Sequence, residues 1–108
     1  MLVSEGEWTD VEKKVAQAAF KQAYERESEA LLKQVREEAA AIVELGELWR
    51  LHDFLSARRH ELDGKYDYRY PVLLFAFAGL VKEGWLHLNE LEGLDRGKLS
   101  KIAALSRM

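Results

Sequence analysis

The apolar residues between Trp49 and Tyr66 recur with the 3.6-residue period of a helix, and the helix they predict has two different faces. One face carries a stripe typical of packing inside a domain, formed by Leu48, Leu51, Leu55 and Leu62. The other face groups an aromatic ring with imidazoles and charges, on Trp49, His52, Asp53, Ser56 and His60, with Arg59 between the faces. Packing alone does not explain this second group, so the pattern indicates a functional surface. Gly64 stands where a C′ glycine would end the helix.

The segment before it predicts an unusually long helix. Thr9 and Glu12 have the spacing of a capping box, and from there to about Glu44 the chain has neither Gly nor Pro. That stretch predicts about 35 helical residues, roughly 50 Å in length, whereas a compact chain of this size has a radius of gyration of ~13 Å. The helix must therefore protrude or bend. Its apolar residues form two clusters: Val11, Val15, Ala18, Ala19, Phe20 and Tyr24, then Leu31, Leu32, Val35, Ile42 and Val43.

The second cluster on this helix needs a cover, and two covers are open at this point. An identical chain can pack on it, which predicts a homodimer. Alternatively, the following helix can fold back on it in an αα-hairpin, with Gly46 marking the break between the two helices. The two arrangements are compatible with each other.

An apolar run follows the central helix. Pro71 suits the first turn of a helix whose residues 72–81 are apolar on all sides, and Gly84 is placed to end it. A strand is the alternative for this run, but the proline start and the glycine stop favour a helix. Such a helix is either buried in a small bundle or partly exposed as a docking surface.

The end of the chain completes an all-helical prediction. A short helix or turn is ended by Gly93, and Asp95 caps a last helix with one apolar side, formed by Leu99, Ile102, Ala103 and Leu105. We therefore predict an all-α fold in a single domain, residues 1–108, with two parts. A long helical stem, which includes the dimerisation region, covers about residues 9–66, and a small helical head covers about residues 67–108.

Composition narrows the class of protein. The chain has 108 residues, 32% of them charged, with a formal net charge of −3 and no cysteine. It lacks the basic excess typical of nucleic-acid binders and the thiolates of disulfides or metal sites. The first eight residues lack the basic and apolar regions of a secretory signal, and no apolar run reaches the ~18 residues of a membrane span. We therefore expect an intracellular protein that neither spans a membrane nor binds nucleic acid.

The polar face of the central helix does not predict chemistry. His52, Asp53 and Ser56 are the residue types of a hydrolase triad, but they share one helix and have no exposed nucleophile turn or oxyanion loop. His52 and His60 are eight residues apart, about 12 Å along a helix, which is too far to share one metal ion. The sequence therefore predicts no enzyme, no metal and no cofactor.

A dimer would explain the charges on this face. Asp53 and Arg59 point about 120° apart on the helix and cannot pair within it. If two copies cross antiparallel near Ser56, Asp53 of one chain approaches Arg59 of the other. Trp49 and His52 then flank the crossing, and aromatic residues and arginine are favoured at interface centres. The alternative is that both charges are solvated and that Trp49 packs against the first helix.

The run from Trp49 to Asp67, Trp-Arg-Leu-His-Asp-Phe-Leu-Ser-Ala-Arg-Arg-His-Glu-Leu-Asp-Gly-Lys-Tyr-Asp, resembles the central motif of the cyanobacterial fluorescence recovery protein family. The resemblance continues through residues 72–81, Glu83-Gly-Trp and the segment from Leu91 to the chain end. It covers about two thirds of the chain closely, while the first 40 residues match only in character. The resemblance implies an all-helical dimer with a stem of long helices and a small helical head.

The resemblance also implies roles for individual residues. The family's functional cluster falls here on Trp49, His52, Asp53 and Arg59, at or beside the dimer interface. A leucine of the family's dimer contact falls on Leu32. The head residues implicated in partner binding fall on Phe75 and Lys101.

The function that the resemblance implies is regulation without catalysis. Family members bind the orange carotenoid protein, a light-activated quencher of the phycobilisome antenna, and the region implied is its C-terminal domain. They speed the return of its red form to the resting orange form and help detach it from the antenna. This implies a cytoplasmic location near the thylakoid membrane, with peripheral association at the phycobilisomes. The alternative is a generic dimeric helical adaptor with a different protein partner.

Overall fold

The computed structural model describes residues 7–108, which form four α-helices and one short 3₁₀ helix. These elements are α1 (Asp10–Ala40), α2 (Leu45–Lys65), α3 (Tyr70–Lys82), the 3₁₀ helix (Leu88–Leu91) and α4 (Arg96–Ser106). The predicted all-α fold is confirmed. Of the segment considered for a secretory signal, residues 1–6 lie outside the described residues. Within the described range, every helix is too short or too polar to cross a bilayer.

α1 begins where the sequence predicts. Thr9 Oγ1 accepts a hydrogen bond from the backbone N–H of Glu12 at 3.1 Å, and Glu12 Oε1 accepts one from the backbone N–H of Thr9 at 3.0 Å. The capping box is therefore confirmed. The helix also protrudes as expected, because the molecule measures 59 × 23 × 19 Å. Its radius of gyration is 17.0 Å, compared with ~13 Å for a compact chain of this length.

The reversal between α1 and α2 occupies residues 41–44, so the break predicted at Gly46 is displaced toward the N-terminus. The Glu47 carboxylate accepts hydrogen bonds from the backbone N–H groups of Val43 at 3.1 Å and Glu44 at 2.9 Å. These bonds satisfy donors at the start of α2, as a shorter polar cap residue usually does. Gly46 consequently lies inside the first turn of α2.

α2 returns along α1, so the αα-hairpin is the arrangement within one chain. The ring of Tyr66, just beyond α2, lies 5.0 Å from that of Tyr24 and 5.4 Å from that of Phe20, measured between centroids. The prediction that Gly64 ends this helix is wrong, because α2 continues to Lys65 and is capped at Tyr66. Both residues after the glycine are hydrogen-bonded to α1, which holds the backbone in its helical path.

α2 buries none of its residues against the described part of its own chain. The leucine stripe predicted for internal packing is half-buried or exposed, at Leu48, Leu51, Leu55 and Leu62. The prediction that this stripe packs inside the domain therefore fails within one chain. The physical reason is that α2 extends from the head with α1 on one side only.

The core lies in the head and draws on α1 as well as on the later helices. Its buried apolar residues are Trp8, Ala16, Ala19, Ala23, Leu73, Leu74, Phe77, Ala78, Leu80, Leu86, Leu91, Leu94 and Ile102. α1 supplies mainly alanines three or four residues apart, which allow its backbone to approach the head closely. Val11, predicted in the first apolar cluster, is instead exposed. The first half of α1, assigned to the stem by sequence, thus also packs against the head.

α3 is a helix and not a strand, and its ends follow the sequence signals. Pro71 lies in its first turn, where its missing N–H costs no intrahelical bond. At the other end Gly84 has a φ of 87°, and its N–H donates to the carbonyl of Val81 at 3.1 Å. The N–H of Trp85 donates to the carbonyl of Leu80 at 2.9 Å, which completes a Schellman motif. The predicted stop at Gly84 is confirmed.

Two ion pairs, at different positions along α1, connect this helix to the head. Lys98 of α4 is buried and donates to both carboxylate oxygens of buried Glu12, each at 3.0 Å. Arg26 forms a two-pronged pair with Glu90, at 2.8 and 2.6 Å, and donates to the carbonyl of Trp85 at 3.0 Å. This pairing holds the pKa of Glu90 down at about 2. These contacts fix the position of α1 along the head.

Glu27 is a buried acid at the junction of hairpin and head, with 1% of its surface exposed. Its carboxylate accepts hydrogen bonds from Lys65 at 2.7 Å, Tyr66 at 2.8 Å and Arg58 at 3.1 Å. Burial alone would raise the pKa of Glu27, but these three donors hold the pKa below its ordinary value of 4.5. The ionised carboxylate therefore joins α1 to the end of α2.

The lowered pKa of Glu27 predicts a pH-dependent stability. Because its folded pKa is depressed, its contribution is present above the unfolded pKa, near 4.5, and is lost as the pH falls through the folded pKa. At pH 7 we expect Glu27→Gln to lower the free energy of unfolding by about 2 kcal/mol, in the range for buried hydrogen bonds to charged groups. Urea unfolding at fixed protein concentration should show this difference shrinking from pH 6 to pH 3. Exposed Glu25 supplies the control Glu25→Gln, and a gap that did not change with pH would contradict the assignment.

Candidate functional site

The sequence-predicted residues fall into two groups on separate parts of the molecule. The stem patch consists of Trp49, His52, Asp53 and Arg59 on α2, and Leu32 lies on α1 of the same hairpin. The head patch consists of Phe75 on α3 and Lys101 on α4. The structure brings Trp49 next to His52 and His52 next to Asp53, and it brings Lys101 next to Phe75, whereas Arg59 lies further along the same face of the hairpin.

The stem patch faces solvent in the single chain. Trp49 is 55% exposed, and its ring lies edge-on to that of His52, with centroids 6.2 Å apart and an interplanar angle of 87°. His52 Nδ1 lies 3.3 Å from Asp53 Oδ1, and Arg59 is also exposed. An exposed indole beside an imidazole and charges of both signs is suited to a protein interface.

Helical geometry explains why α2 presents these residues outward. Arg58 and Arg59 are neighbours in sequence, but successive side chains of a helix are about 100° apart. Arg58 turns inward to Glu27, at 3.1 Å, while Arg59 remains on the exposed face. The contact with α1 therefore fixes which face of α2 carries the stem patch.

Apolar exposure extends over the hairpin beyond the stem patch. Leu32 is 52% exposed and borders a shallow depression on α1 together with Tyr24. Further exposed apolar residues of the hairpin are Val43, Leu45 and Leu48. The dimer and the roles assigned to the stem patch stay predictions, and this exposed surface is the surface that a dimer would cover.

The head patch combines an exposed ring with a cation. Phe75 is 54% exposed, whereas Phe77, two residues later on α3, is fully buried. Lys101 Nζ lies 5.9 Å from the centroid of the Phe75 ring, within the range of a cation–π contact. A large exposed ring beside an ammonium can bind an apolar side chain and an acidic group of another protein.

The sequence reading missed the charged network that adjoins the head patch. Lys65 Nζ donates to Glu27 at 2.7 Å and to Glu83 at 2.5 Å, which links α1, α2 and the end of α3. Glu27 lies in the highly charged stretch from Glu25 to Glu29 and belongs to neither apolar cluster predicted on this helix. The available signal was its spacing, because Glu27 continues the buried series of Ala16, Ala19 and Ala23 at intervals of three or four residues.

Comparison with known proteins adds independent evidence. Residues 8–106 match the profile of a family described as photoprotection regulator fluorescence recovery protein. The chain is 49% identical over 105 residues to the fluorescence recovery protein of Synechocystis sp. (strain ATCC 27184 / PCC 6803 / Kazusa). That match covers 97% of this chain and 96% of the relative.

Solved structures share the architecture. The fluorescence recovery protein of Fremyella diplosiphon is 64% identical and superposes with a TM-score of 0.92, covering 94% of this chain and 100% of that one. The protein from Synechocystis sp. PCC 6803 is 49% identical and has the same TM-score and coverage. The long hairpin and the head therefore correspond to an experimentally observed fold.

The exposure difference on α3 predicts different costs for two similar substitutions. We expect Phe75→Ala to change the free energy of unfolding by less than about 1 kcal/mol, because half of the ring is already in water. Phe77→Ala should cost about 3–5 kcal/mol, since it leaves a cavity in the core. Urea unfolding of both variants checks this. Equal costs would mean that Phe75 is part of the core and not of a surface.

Proposed function

Because the chain belongs to the fluorescence recovery protein family of photoprotection regulators, we propose that it binds the photoactivated red form of the orange carotenoid protein. It accelerates the return of that protein to its resting orange form without catalysing a chemical reaction. It also promotes detachment of the carotenoid protein from the phycobilisome, which restores antenna fluorescence. This function places the protein in the cytoplasm, beside the phycobilisomes at the thylakoid membrane.

Such a function sets a physical requirement on binding. A protein that speeds the change between two states of a partner must bind the transition between them more tightly than the starting state. To shift their balance as well, it must bind one of the two forms better than the other. The proposed regulator therefore needs a surface that fits a conformation and not a site that performs chemistry.

The observation that carries the proposal is the head patch. Phe75 is exposed on a helix whose other large apolar residues are mostly buried. Lys101 Nζ lies 5.9 Å from the centroid of the Phe75 ring. Exposed aromatic residues with adjacent cations are frequent anchors in protein interfaces. We infer that this patch docks on the C-terminal domain of the carotenoid protein.

The stem is proposed to serve dimerisation. α2 buries no residue against the described part of its own chain. Large apolar residues are exposed on the hairpin at Tyr24, Leu32, Val43, Leu45, Leu48 and Trp49. In an antiparallel crossing near Ser56, Asp53 of one chain lies close to Arg59 of its partner, beside Trp49. A contact of this kind would cover the aromatic ring and give each charge a partner.

The reversion rate of the carotenoid protein tests the function. We expect the wild-type chain to speed the dark decay of the red form, followed by absorbance. At a limiting concentration, Phe75→Ala should reduce the acceleration about tenfold, the usual effect of removing an interface anchor. Val11→Ala, at another exposed apolar position, is the control. An unchanged rate with intact partner and wild-type chain would reject the function and favour a helical adaptor for another protein.

A second prediction concerns the proposed dimer. Light scattering of the wild-type chain should give about twice the 12.4 kDa mass of one chain. Leu32→Glu should shift the population to the monomer, because the dimer would have to desolvate a carboxylate in an apolar contact. Val11→Glu makes the same kind of change on the head side of α1 and should leave the dimer intact. A dimer that survives Leu32→Glu would remove Leu32 from the interface.

A further inference from the structure

A cleft lies between the end of α2 and the outer face of α3, directly beside Phe75. Its volume is about 250 Å³, which leaves room for one large side chain. The α3 side is apolar and consists of Val72, Phe75, Ala76, Gly79 and Leu80. The other lining residues are Gly64, Lys65, Asp67 and Glu83. The cleft is therefore continuous with the head patch.

Gly64 and Gly79 line this cleft from its two sides, Gly79 inside α3 and Gly64 in the last turn of α2. A glycine inside a helix destabilises it relative to alanine, so each position needs an explanation. Among the described residues, no atom of a neighbouring element lies within 4 Å of the point where a Cβ would stand. Neither residue has the positive φ found at Gly84 and Gly93. The folded chain does not itself require glycine here, whereas the close approach of a second molecule would.

The charges at the rim indicate the chemistry of that second molecule. The ammonium of Lys65 lies between two carboxylates, Glu27 at 2.7 Å and Glu83 at 2.5 Å. Glu27 is buried and is also paired with Arg58, so the charges at the cleft itself are those of its lining residues, the ammonium of Lys65 and the carboxylates of Asp67 and Glu83. Carboxylates therefore outnumber cations in the lining, and the Glu83 side chain is half-exposed. A basic group on the incoming molecule would complement this rim, and an apolar group would complement the floor.

We propose that this cleft is the second half of the docking surface, and that it receives an apolar side chain of the partner protein flanked by a basic residue. The inference rests on the proposed function, because it takes the same partner. Gly64 and Gly79 allow the partner backbone to approach, and the Glu27–Lys65–Glu83 network holds the wall formed by α2. Phe75, which lines the cleft, and the cleft itself then form one continuous contact.

Glycine substitutions separate docking from folding. The dissociation constant of the complex with the photoactivated carotenoid protein is measured for the wild-type chain, Gly79→Ala and Gly79→Leu. We expect weakening of several-fold for alanine and of at least about tenfold for leucine, because both fill space in the cleft. The melting temperature of Gly79→Ala should not fall, since alanine favours helix over glycine. Gly46→Ala, also helical and with open space at its Cβ position, is the matched control and should bind like wild type.

Removing a charge from the rim tests whether the rim binds a basic group of the partner. Glu83→Gln should weaken binding and reduce its salt dependence, because one ion pair with the partner is lost. Exposed Glu92 supplies the control Glu92→Gln.

Each outcome has a distinct meaning. Wild-type binding together with unchanged binding by the Gly79 variants would overturn the cleft proposal alone. A Gly79→Leu variant that altered only the dimer equilibrium would assign the cleft to a contact between copies, which would also overturn it. Absence of wild-type binding would overturn both the proposed function and this inference.

Discussion

The buried carboxylate of Glu27 is the contact on which the arrangement of the chain depends. A charge with 1% exposure is stable only if donors replace its lost hydration, and here Lys65, Tyr66 and Arg58 do so. All three lie in α2 or directly after it. The carboxylate therefore fixes where α2 meets α1, and with it the rotation of α2 about its own axis. Since Arg58 points inward, the face that carries Arg59 must point outward.

The composition of α1 has a second consequence for the stem. The residues that α1 buries are Glu12, Ala16, Ala19, Ala23 and Glu27, which all lie in the part of the helix up to its junction with the head, and none lies in the part beyond Glu27, along which α2 runs. The leucines of α2 are thus only half-buried or exposed in one chain, and Trp49 is exposed. Exposed apolar area of this kind is unfavourable in water, about 25 cal/mol per Å². A second copy is the cover that we propose, and the elongated shape of the chain makes its whole length available.

Local signals predicted the elements well, because caps and glycine stops act over a few residues. Thr9, Pro71, Gly84 and Asp95 all behave as their sequence positions indicate. The errors arise where contacts with residues distant in sequence determine the structure. Gly64 remains helical because the residues that follow it bond to α1, 38 and 39 positions away in sequence. The resemblance proposed both patches, and their roles stay predictions. The helical spacing of Glu27 could indicate that it is buried, but not its partners, because Arg58, Lys65 and Tyr66 are 31, 38 and 39 positions away in sequence.

The cleft beside Phe75 is lined by two glycines at helical positions, where local propensity favours other residues. Neither the backbone angles nor the neighbouring side chains require glycine at Gly64 or Gly79. Stability alone would favour alanine, most clearly at Gly79 in the interior of α3. Gly93 is the contrasting case: its φ is positive, and a Cβ there would stand 2.8 Å from Val15, so the fold itself demands it. Conflicts between local preference and fold are expected at functional sites. Two such positions on opposite walls of one cleft, next to an exposed aromatic ring, therefore argue for an external occupant more strongly than either glycine alone.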